Sequence, residues 1–533
     1  MLYAILYAYA AVEVLFLLYF YLIVIPHIVH IPTKARPARD ARYTRHRHKL
    51  FVRMVRRYQH IAELTGKCSV RRFENMVESY FTKKTSTSTY SLFSDAFSGN
   101  ACTCTPKELY VHESSWENVN FGKDKNKKKL IASPSKEFVN TYRRENMNEF
   151  LAWAFFCKHT NQLSDWELEE IDECYKVMKD ELNFEILPGK SDLIIPLRLN
   201  LDDPFILYRP LLFYSFVFFL KAVTWSVLTY CGFSRHRSSN GLSYWFRDDC
   251  DETALRQEEV PLVFFHGVSP GGLAMYLPFL FNCIGLNGRQ AFLFESPGIS
   301  MEMSMNILSE DDTANDIAEA IDRHTGAATR VQVIGHSFGT FVAAWFNHSF
   351  PKRVRQIVLL DPVSILVADN MVYQNFTFAS GVHEAFTSSS RLVTFLLATT
   401  EAYMQYYLRR HFFWYNNELF FDDIDEHAKA LLFLSMKDEI LDANRVAEEV
   451  NRFESERQAA AEPEVKRLDI SLPNSDKVEI ERQAKVPKVK KFCWPDSKHG
   501  DFVMDRHTWK DIREAIEAQK ATFVQTDEAK KER

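Results

Sequence analysis

The sequence predicts an α/β protein with a mainly parallel sheet flanked by helices, a helical cap rich in aromatic residues, and an N-terminal helical region with a transmembrane anchor. Two observations predict this class. Residues 2–25 are almost continuously apolar, which is long enough to cross a bilayer as a helix. Beyond residue 241, short apolar runs alternate with helical stretches. The six runs are residues 261–265, 291–295, 331–335, 356–360, 431–436 and 486–493.

These six runs are expected to form the strands of a parallel sheet. Most are apolar without alternation, which is typical of strands that are buried on both faces. The last run contains lysines and is expected at an edge of the sheet. Catalytic groups of parallel α/β sheets gather at the carboxyl ends of the strands, so each strand end is a candidate position for chemistry.

Composition and charge limit the functional classes to which the protein can belong. The chain of 533 residues is long enough for two or three domains, and 46% of its residues are hydrophobic. Its net charge of -5 hides a basic block, since residues 34–72 carry 13 Lys and Arg against 2 Asp and Glu. A basic block beside an apolar N-terminus is typical of a membrane surface, and the acidic remainder argues against nucleic-acid binding. The nine cysteines show no metal-site spacing and are expected to be reduced thiols.

The first segment, residues 1–31, is interpreted as a membrane anchor with a single span. Its one charge, Glu13, would cost about 2.5–3.5 kcal/mol at mid-span unless it is protonated or paired. No positive region precedes the segment and no A-x-A site ends it, so a cleaved signal peptide is not expected. By the positive-inside rule, the basic block predicts a cytosolic catalytic domain. The endoplasmic reticulum is the expected membrane.

A second apolar run lies within the basic, mainly helical region at residues 32–240. Residues 210–233 are interrupted by Lys221 and flanked by arginines. The run is long enough to cross a membrane, but its charges also suit a helix that lies in the interface or against the protein, with the lysine side chain reaching water. The sequence leaves both interpretations open.

The third predicted strand is followed by Gly335, His336, Ser337, Phe338 and Gly339, a G-x-S-x-G pattern that precedes a helical stretch. The two glycines permit a sharp, strained turn that projects the serine hydroxyl above the sheet as a nucleophile. This turn, formed by Gly335, His336 and Gly339 around the serine, is the predicted nucleophile elbow.

An oxyanion hole is predicted from two backbone N–H groups. The first predicted strand ends in His266-Gly267-Val268, where glycine lets the backbone approach a ligand closely. The N–H of Val268 is one candidate donor. The N–H of Phe338, at the start of a helix, is the other.

A serine hydroxyl needs a base, and the base needs an acid that orients it. His499 follows the last predicted strand, from which it could reach Ser337. Asp438 lies two residues beyond the fifth strand and is the predicted acid. Asp361, at the end of the fourth strand, and Asp442, about one helical turn beyond Asp438, are its rivals.

Residues 260–511 resemble the α/β-hydrolase superfamily. The resemblance rests on the H-G turn, G-H-S-F-G, the D-P after the fourth strand, and the K-D-E-I and H-G-D-F turns. It implies the α/β-hydrolase fold and the triad named above. The expected parts of this region are a hydrolase domain at 241–520, a cap at about 362–425, a charged insertion, expected as a surface loop, at about 453–485, and a charged tail at 521–533.

The whole chain resembles the N-terminally membrane-anchored α/β-hydrolase proteins of microbial eukaryotes. This second resemblance rests on residues 146–156, on Arg209-Pro210 and on residues 409–421. It implies the fold and the triad, but not the substrate.

The expected cap is rich in aromatic side chains, which would either roof the serine with an apolar pocket or form the core of the cap itself. With a membrane anchor, the simplest substrate is an apolar acyl ester of a membrane lipid, cleaved by a serine esterase or lipase. An acyltransferase of the same fold and a non-catalytic membrane scaffold are the alternatives. The sequence shows no P-loop, dinucleotide fingerprint or metal cluster, so no cofactor or metal is expected, and it identifies no protein partner. The aromatic residues are Phe376, Phe378, Phe386, Phe395, Tyr403, Tyr406, Tyr407, Phe412, Phe413 and Trp414.

Overall fold

The chain divides into a sheet unit and a helical unit. The sheet unit contains Met1–Arg36 and Leu199–Arg533, and the helical unit contains Pro37–Arg198. The computed structural model describes residues 2–30, 41–65, 142–248, 260–284, 289–327, 329–369, 394–461 and 488–531, with short stretches between residues 73 and 83 and single residues at 372 and 392.

Helices and strands are numbered along the chain. A π-helical turn, Phe20–Val24, joins α1 to α2. Within the described residues, the helices are α1 Leu2–Tyr19, α2 Ile25–His30, α3 Ala41–Thr65, α4 Arg144–Phe156, α5 Asp165–Leu182, α6 Leu211–Tyr230, α7 Leu277–Phe279, α8 Glu310–Thr325, α9 Gly339–Ser349, α10 Ala402–Arg410, α11 Ala443–Ala461 and α12 Arg506–Lys531. The strands are β1 Phe81–Lys83, β2 Ile194–Pro196, β3 Ser234–Arg237, β4 Ser243–Arg247, β5 Leu262–Phe265, β6 Ala291–Phe294, β7 Val331–His336, β8 Val354–Leu360, β9 Lys429–Ser435 and β10 Lys488–Trp494.

Eight strands form one sheet in the order β10-β9-β8-β7-β5-β6-β4-β3. The six strands from β5 to β10 pair in parallel. The predicted parallel sheet is therefore confirmed, and each strand begins and ends within two residues of its expected bounds. β10 lies at an edge, as its lysines predict. Every residue of β5, β6 and β7 is buried, which explains why their sequences do not alternate.

Two strands, β3 and β4, extend the sheet beyond the predicted set. They form an antiparallel hairpin whose second strand pairs with β6. β3 has the sequence Ser-Arg-His-Arg and is largely exposed at the edge, so it carries no apolar pattern that would predict a strand. The domain boundary expected at residue 241 therefore lies inside this hairpin. Residues 199–240, which were expected in the helical region, belong to the sheet unit.

The helical unit is held together by α3, α4 and α5. Arg47 of α3 makes a bidentate ion pair with Glu170 of α5, with N–O distances of 2.6 and 2.9 Å and both side chains buried. Phe150 and Trp153 of α4 pack against Tyr80. This arginine of the basic block therefore stabilises the helical unit rather than contacting a membrane surface.

The second apolar run forms α6, which lies along the sheet unit. Tyr214, Val217 and Leu228 are at most 3% exposed, so one face of α6 is buried from its first turn to its last. Lys221 makes an ion pair of 2.6 Å with Glu302. One face of α6 therefore packs on the protein along its whole length, and most of its other residues are exposed.

Glu13 of α1 binds the N-terminus of α6. Its two carboxylate oxygens lie 3.1 and 3.2 Å from the backbone nitrogen of Leu211, and the hydroxyls of Tyr9 and Tyr208 also donate to it. The first N–H groups of a helix have no intrahelical acceptor and favour a negative charge. The one charge in the N-terminal apolar segment is therefore a helix cap that joins α1 to α6.

Arg410 of α10 binds the other end of the N-terminal segment. Its guanidinium donates to the carbonyl oxygens of Ile28, at 3.1 Å, and Val29, at 3.3 Å, near the end of α2. These carbonyls lie where a helix has no donors of its own. Apolar residues of the segment also share a buried cluster with Tyr403 of α10. The second half of the expected anchor is thus packed on the cap rather than attached only through a linker.

The expected cap falls only partly within the described residues. Phe395, Tyr403, Tyr406, Tyr407, Phe412 and Phe413 are buried, whereas Phe376, Phe378, Phe386 and the side chain of Trp414 lie outside the described part. Tyr403 and Tyr406 pack against the N-terminal segment. These two rings therefore belong to the packing of the cap rather than to a pocket.

The charged insertion and the tail differ from their expected form. Residues 453–461 continue α11 instead of forming a loop, and the remainder of the insertion lies outside the described residues. Ion pairs one helical turn apart, such as Arg452 with Glu456, stabilise this helix. Glu454 also accepts a hydrogen bond of 2.7 Å from the N–H of Val489 in β10. The expected tail continues α12 as far as Lys531.

Replacing Glu13 with Ala should destabilise the sheet unit. The change removes the acceptor for the first N–H of α6, and loss of such a cap typically costs about 1 kcal/mol. Thermal unfolding of the purified full chain in detergent should show a lower melting temperature for Glu13→Ala. Val14→Ala, an exposed apolar change in the same helix, is the matched control. Equal melting temperatures for the two variants would show that the cap contributes nothing.

Candidate active site

β7 ends in a strained turn at Ser337. The φ angle of Ser337 is 49°, in the left-handed region that residues other than glycine rarely adopt. A Cβ atom on Gly335 would lie 2.6 Å from the carbonyl oxygen of Gly339, and one on Gly339 would overlap the carbonyl oxygen of Phe265. Both positions therefore need glycine, and the turn holds Ser337 at the carboxyl end of β7 and the start of α9.

His499 lies between Ser337 and Asp438. Its Nε2 atom is 2.8 Å from Oγ of Ser337, and its Nδ1 atom is 2.6 Å from Oδ2 of Asp438. The side chain of Asp438 is fully buried, and that of His499 is 14% exposed. The structure thus brings together the three residues that the sequence predicts as a triad, with a hydroxyl, an imidazole and a carboxylate in one hydrogen-bonded series.

Backbone groups hold the acid and the base in place. Oδ1 of Asp438 accepts hydrogen bonds from the N–H groups of Ile440, at 2.7 Å, and Leu441, at 3.1 Å. That leaves Oδ2 for His499. Gly500 makes the turn that follows His499. Its φ angle of 77° lies in the left-handed region, which favours glycine at this position.

The electrostatics separate His499 from the two other histidines at this end of the sheet. Burial alone would lower the pKa of His499, but the Asp438 carboxylate outweighs it and the pKa rises to about 9. Burial lowers the pKa of His336 well below its ordinary value and that of His266 to about 4. His336 and His266 are therefore neutral near pH 7, whereas His499 holds its proton up to about pH 9.

The two predicted oxyanion donors come from the turn after β5 and from the residue that follows the nucleophile. Gly267 lies against Ser337, since a Cβ atom on Gly267 would be 2.9 Å from Cβ of Ser337. Val268 follows Gly267 directly, and Phe338 follows Ser337. Within the described residues, neither the Val268 N–H nor the Phe338 N–H donates a hydrogen bond to a protein acceptor. Both donors are thus available to a substrate oxygen.

Tyr276 is a site residue that the sequence does not predict. Its hydroxyl accepts a hydrogen bond of 3.0 Å from the N–H of Gly267 and lies 2.7 Å from Nδ1 of His336. The direction of the hydrogen bond between this hydroxyl and His336 follows the tautomer of the imidazole. Tyr276 thereby ties the predicted oxyanion turn to the nucleophile elbow. Its role depends on residues that are far from it in the chain, so no local motif indicates it.

The two rival carboxylates, and the nearby His266, have other partners. Oδ1 of Asp442 accepts a hydrogen bond from the N–H of Arg445 at the start of α11. His266 accepts a hydrogen bond of 3.1 Å from the N–H of Ser296 through Nε2. Asp361 is fully buried beside the site, but its carboxylate accepts backbone N–H groups rather than the proton on His499.

Aromatic rings of the cap reach the nucleophile elbow. The ring of Phe338 lies 5.4 Å from that of Tyr407 and 5.9 Å from that of Phe412. A Cβ atom on Gly298 would lie 3.0 Å from Cγ of Tyr407, so glycine lets this ring approach the sheet. The surroundings of Ser337 are therefore apolar on the side of the cap.

The family model of the alpha/beta hydrolase fold matches residues 260–410, which include β5 to β8 and the turn at Ser337. The sheet unit belongs to the α/β-hydrolase superfamily. The six parallel strands and the left-handed serine after the third of them are what this α/β hydrolase shares with its superfamily.

Several solved structures are similar to this α/β hydrolase. A carboxylesterase from Nitrososphaera gargenis is 13% identical and covers 54% of this chain and 99% of its own, with a TM-score of 0.34. An esterase from Pyrococcus furiosus is 12% identical over 54% of this chain and 89% of its own, with a TM-score of 0.33. Mouse alpha/beta hydrolase domain-containing protein 10 is 13% identical over 55% of this chain and 99% of its own, with a TM-score of 0.32. No curated protein matches the chain.

Replacing Asp438 with Asn should lower kcat on a soluble ester by about 10⁴, as loss of the acid does in other triads, because the amide cannot accept the proton on Nδ1 of His499. Asp361→Asn is the comparison, and it should lose far less activity. Steady-state kinetics on both variants, with melting temperatures to confirm folding, checks this. Greater damage in a folded Asp361→Asn variant would move the acid to the end of β8.

Proposed function

We propose that the protein is a membrane-bound serine hydrolase that cleaves an acyl ester. Ser337 is the nucleophile, His499 the general base and Asp438 the acid that orients the base. The observation that carries this proposal is the hydrogen-bonded series from Oγ of Ser337 through both ring nitrogens of His499 to the buried Asp438. A non-catalytic scaffold has no need for such a series.

The first half of the reaction forms an acyl-enzyme. Oγ of Ser337 attacks the ester carbonyl carbon, and its proton passes to Nε2 of His499. The negative charge that develops on the carbonyl oxygen is stabilised by the N–H groups of Val268 and Phe338. The carbon–oxygen bond of the ester then breaks, and the proton on Nε2 goes to the departing alcohol.

The second half releases the acid. Water gives a proton to Nε2 of His499 and attacks the acyl carbon, and the bond to Ser337 breaks as the proton returns to Oγ. Throughout, Asp438 keeps the other imidazole proton on Nδ1 and stabilises the imidazolium. Its second oxygen is held by the N–H groups of Ile440 and Leu441, so the carboxylate does not need to reorient during the cycle.

We propose a lipid acyl ester as the substrate class. The rings of Tyr407 and Phe412 beside Phe338 favour an apolar acyl chain over a charged one. The two apolar helices support a membrane as its source, since both are long and apolar enough to cross a bilayer and leave most of their residues exposed.

The exposed faces of α1 and α6 would bind the membrane. Leu212, Phe216, Phe219 and Val223 of α6 are exposed on the side opposite its buried face. Such a helix binds in the membrane interface, with its apolar face among the lipid chains. On α1, the exposed apolar residues are Tyr3, Tyr7, Tyr9, Val12, Val14, Leu15, Leu17, Leu18 and Tyr19.

The contact between Glu13 and Leu211 limits how far α1 enters the bilayer. If α6 lies in the interface, the bond to the N–H of Leu211 holds Glu13 at the same depth. Beyond Glu13, Phe20, Val24 and Ile28 pack against the cap, so this half of the segment is held on the protein. We therefore propose binding to one leaflet from the cytosolic side, in place of the single crossing expected from the sequence.

Hydrolysis of p-nitrophenyl esters should depend on acyl length. Each buried CH₂ group contributes about 0.8 kcal/mol, so kcat/KM should rise about fourfold per CH₂ until the pocket is filled. The measurement is steady-state hydrolysis by the full chain in detergent, from acetate upward.

The control for this series does not depend on the substrate. A fluorophosphonate probe should label the wild-type protein at Ser337 and leave Ser337→Ala unlabelled. Undiminished labelling of the Ala variant would place the nucleophile elsewhere. Labelling without hydrolysis of any ester would instead favour an acyltransferase, in which an alcohol rather than water accepts the acyl group.

Protease added outside sealed microsomes should digest both the α/β-hydrolase domain and an N-terminal epitope tag, because binding to one leaflet leaves both on the cytosolic side. A lumenal protein in the same vesicles is the control for intact membranes. A protected tag with a digested domain would show that α1 crosses the bilayer. Protection of the domain itself would contradict the cytosolic assignment.

A further inference from the structure

Asp361 is buried beside the site but takes no part in the steps described above. Its side chain is 0% exposed. Oδ1 accepts a hydrogen bond of 2.9 Å from the N–H of Ser435, and Oδ2 accepts one of 2.8 Å from the N–H of Gly500. Its φ angle of 45° is one that residues other than glycine rarely adopt. Burial of the carboxylate and the left-handed backbone are both unfavourable, so interactions of this side chain must offset them.

The two donors belong to the segments that carry the acid and the base. Ser435 is the last residue of β9, three residues before Asp438, and Gly500 directly follows His499. The carboxylate of Asp361 therefore binds one N–H on each side of the contact between Asp438 and His499. It thereby sets the spacing of two segments that are about 60 residues apart in the sequence. The distance from Nδ1 of His499 to Oδ2 of Asp438, one residue from each segment, is 2.6 Å.

The charge of Asp361 also faces the imidazole. One oxygen of Asp361, one oxygen of Asp438 and one ring nitrogen of His499 all lie within 4.8 Å of one another. The ring nitrogens of His499 are bonded to Asp438 and Ser337, so Asp361 acts on the ring through space. A negative charge at such a distance favours the imidazolium.

We infer that Asp361 is a positioning residue of this site, which holds the loop of His499 in register with Asp438 and presents a second negative charge to the imidazole. The inference rests on the proposed triad. It assigns the two carboxylates different tasks, since Asp438 binds the proton on Nδ1 and Asp361 binds the backbone on both sides of that contact.

The groups that face His499 are Asp438, Asp361, Asp501 and His336. Burial would lower the pKa of His499, but Asp438, and after it Asp361 and Asp501, raise it to about 9. Burial raises the pKa of Asp361 to about 6, so this carboxyl is ionised over the range in which His499 loses its proton. His336 has a pKa well below its ordinary value and adds no charge there.

Asp361→Asn should therefore lower the pKa of His499 by about 1 or more, because the imidazolium loses one of its stabilising charges. Only neutral His499 can accept the proton of Ser337, so the rise of Ser337 reactivity with pH should move to lower pH. The limiting rate at high pH should fall, since the amide nitrogen would face one of the two backbone donors and loosen the loop.

Two measurements on the full chain in detergent test this. The first is NMR titration of ¹³C-labelled histidine, with His499→Gln used to assign the signal of His499. The second is the rate at which a fluorophosphonate probe labels Ser337, measured from pH 5 to pH 10. The titration needs no substrate and no reaction, so it reports on Asp361 whether or not the protein hydrolyses esters.

Asp316→Asn is the matched control. Asp316 is also fully buried, and its carboxylate accepts hydrogen bonds from the N–H groups of Asn240 and Leu242 at the β3–β4 turn. Its replacement should lower the melting temperature without moving the pKa of His499. Asp361→Ser is the second variant, since it removes the charge with no amide to oppose the backbone donors and serves if Asp361→Asn does not fold.

A lower pKa of His499 in either Asp361 variant, with an unchanged value in Asp316→Asn, supports the inference. A pKa in a folded Asp361 variant that equals the wild-type value overturns it, and the proposed triad is unaffected by that result. A wild-type protein whose Ser337 is never labelled overturns the proposed function, and the titration still decides the role of Asp361.

Discussion

The contact between the first residue of α9 and the end of β5 is the constraint on which the site depends. Gly339 lies so close to the carbonyl oxygens of Phe265 and His266 that no side chain fits between helix and strand. This closeness forces the chain to turn within a few residues after β7, and the turn leaves Ser337 in a left-handed conformation. The other site residues follow from it, because parallel neighbouring strands end at the same edge of the sheet and deliver their side chains to the same place.

The strands could be predicted because a strand that is buried on both faces has a mostly apolar local sequence. Runs such as residues 261–265 are apolar at every position, and the structure places β5 at Leu262–Phe265. The first strand of the β3–β4 hairpin has no such apolar sequence. β3 is polar and largely exposed, and it is stabilised by pairing with β4 rather than by an apolar face of its own. Pairing between strands is a property of the fold, which a single segment does not reveal.

The residues of the site also divide into those that the sequence predicts and those that it does not. Ser337, Asp438 and His499 could be predicted because each follows a strand whose end is recognisable, and the structure places them within hydrogen-bonding distance. Tyr276 could not be predicted, because its function lies in joining Gly267 to a histidine 60 residues away. Asp361 could be predicted as a candidate but not in its role. Its position after a strand suggests an acid, and only the backbone donors that surround it show what it binds.

Three carboxylates of the sheet unit share one pattern, in which backbone N–H groups bind the carboxylate oxygens. Glu13 accepts the first N–H of α6, Asp438 accepts two N–H groups of its own turn, and Asp361 accepts one N–H from each of two segments. A backbone N–H is a fixed dipole, so it satisfies a carboxylate without burying a second charge whose own desolvation would be unfavourable.

This pattern explains how two carboxylates can stand beside one imidazole. The like charges of Asp361 and Asp438 repel, and burial adds to the cost of each. Four backbone donors and one shared imidazole offset that cost, and the donors come from the segments that must stay in register. The arrangement is stable only while the loop of His499 stays in place. Part of the charge that raises the basicity of His499 is therefore delivered by the group that holds its loop. A displaced loop would lose the alignment of the base and part of its basicity together.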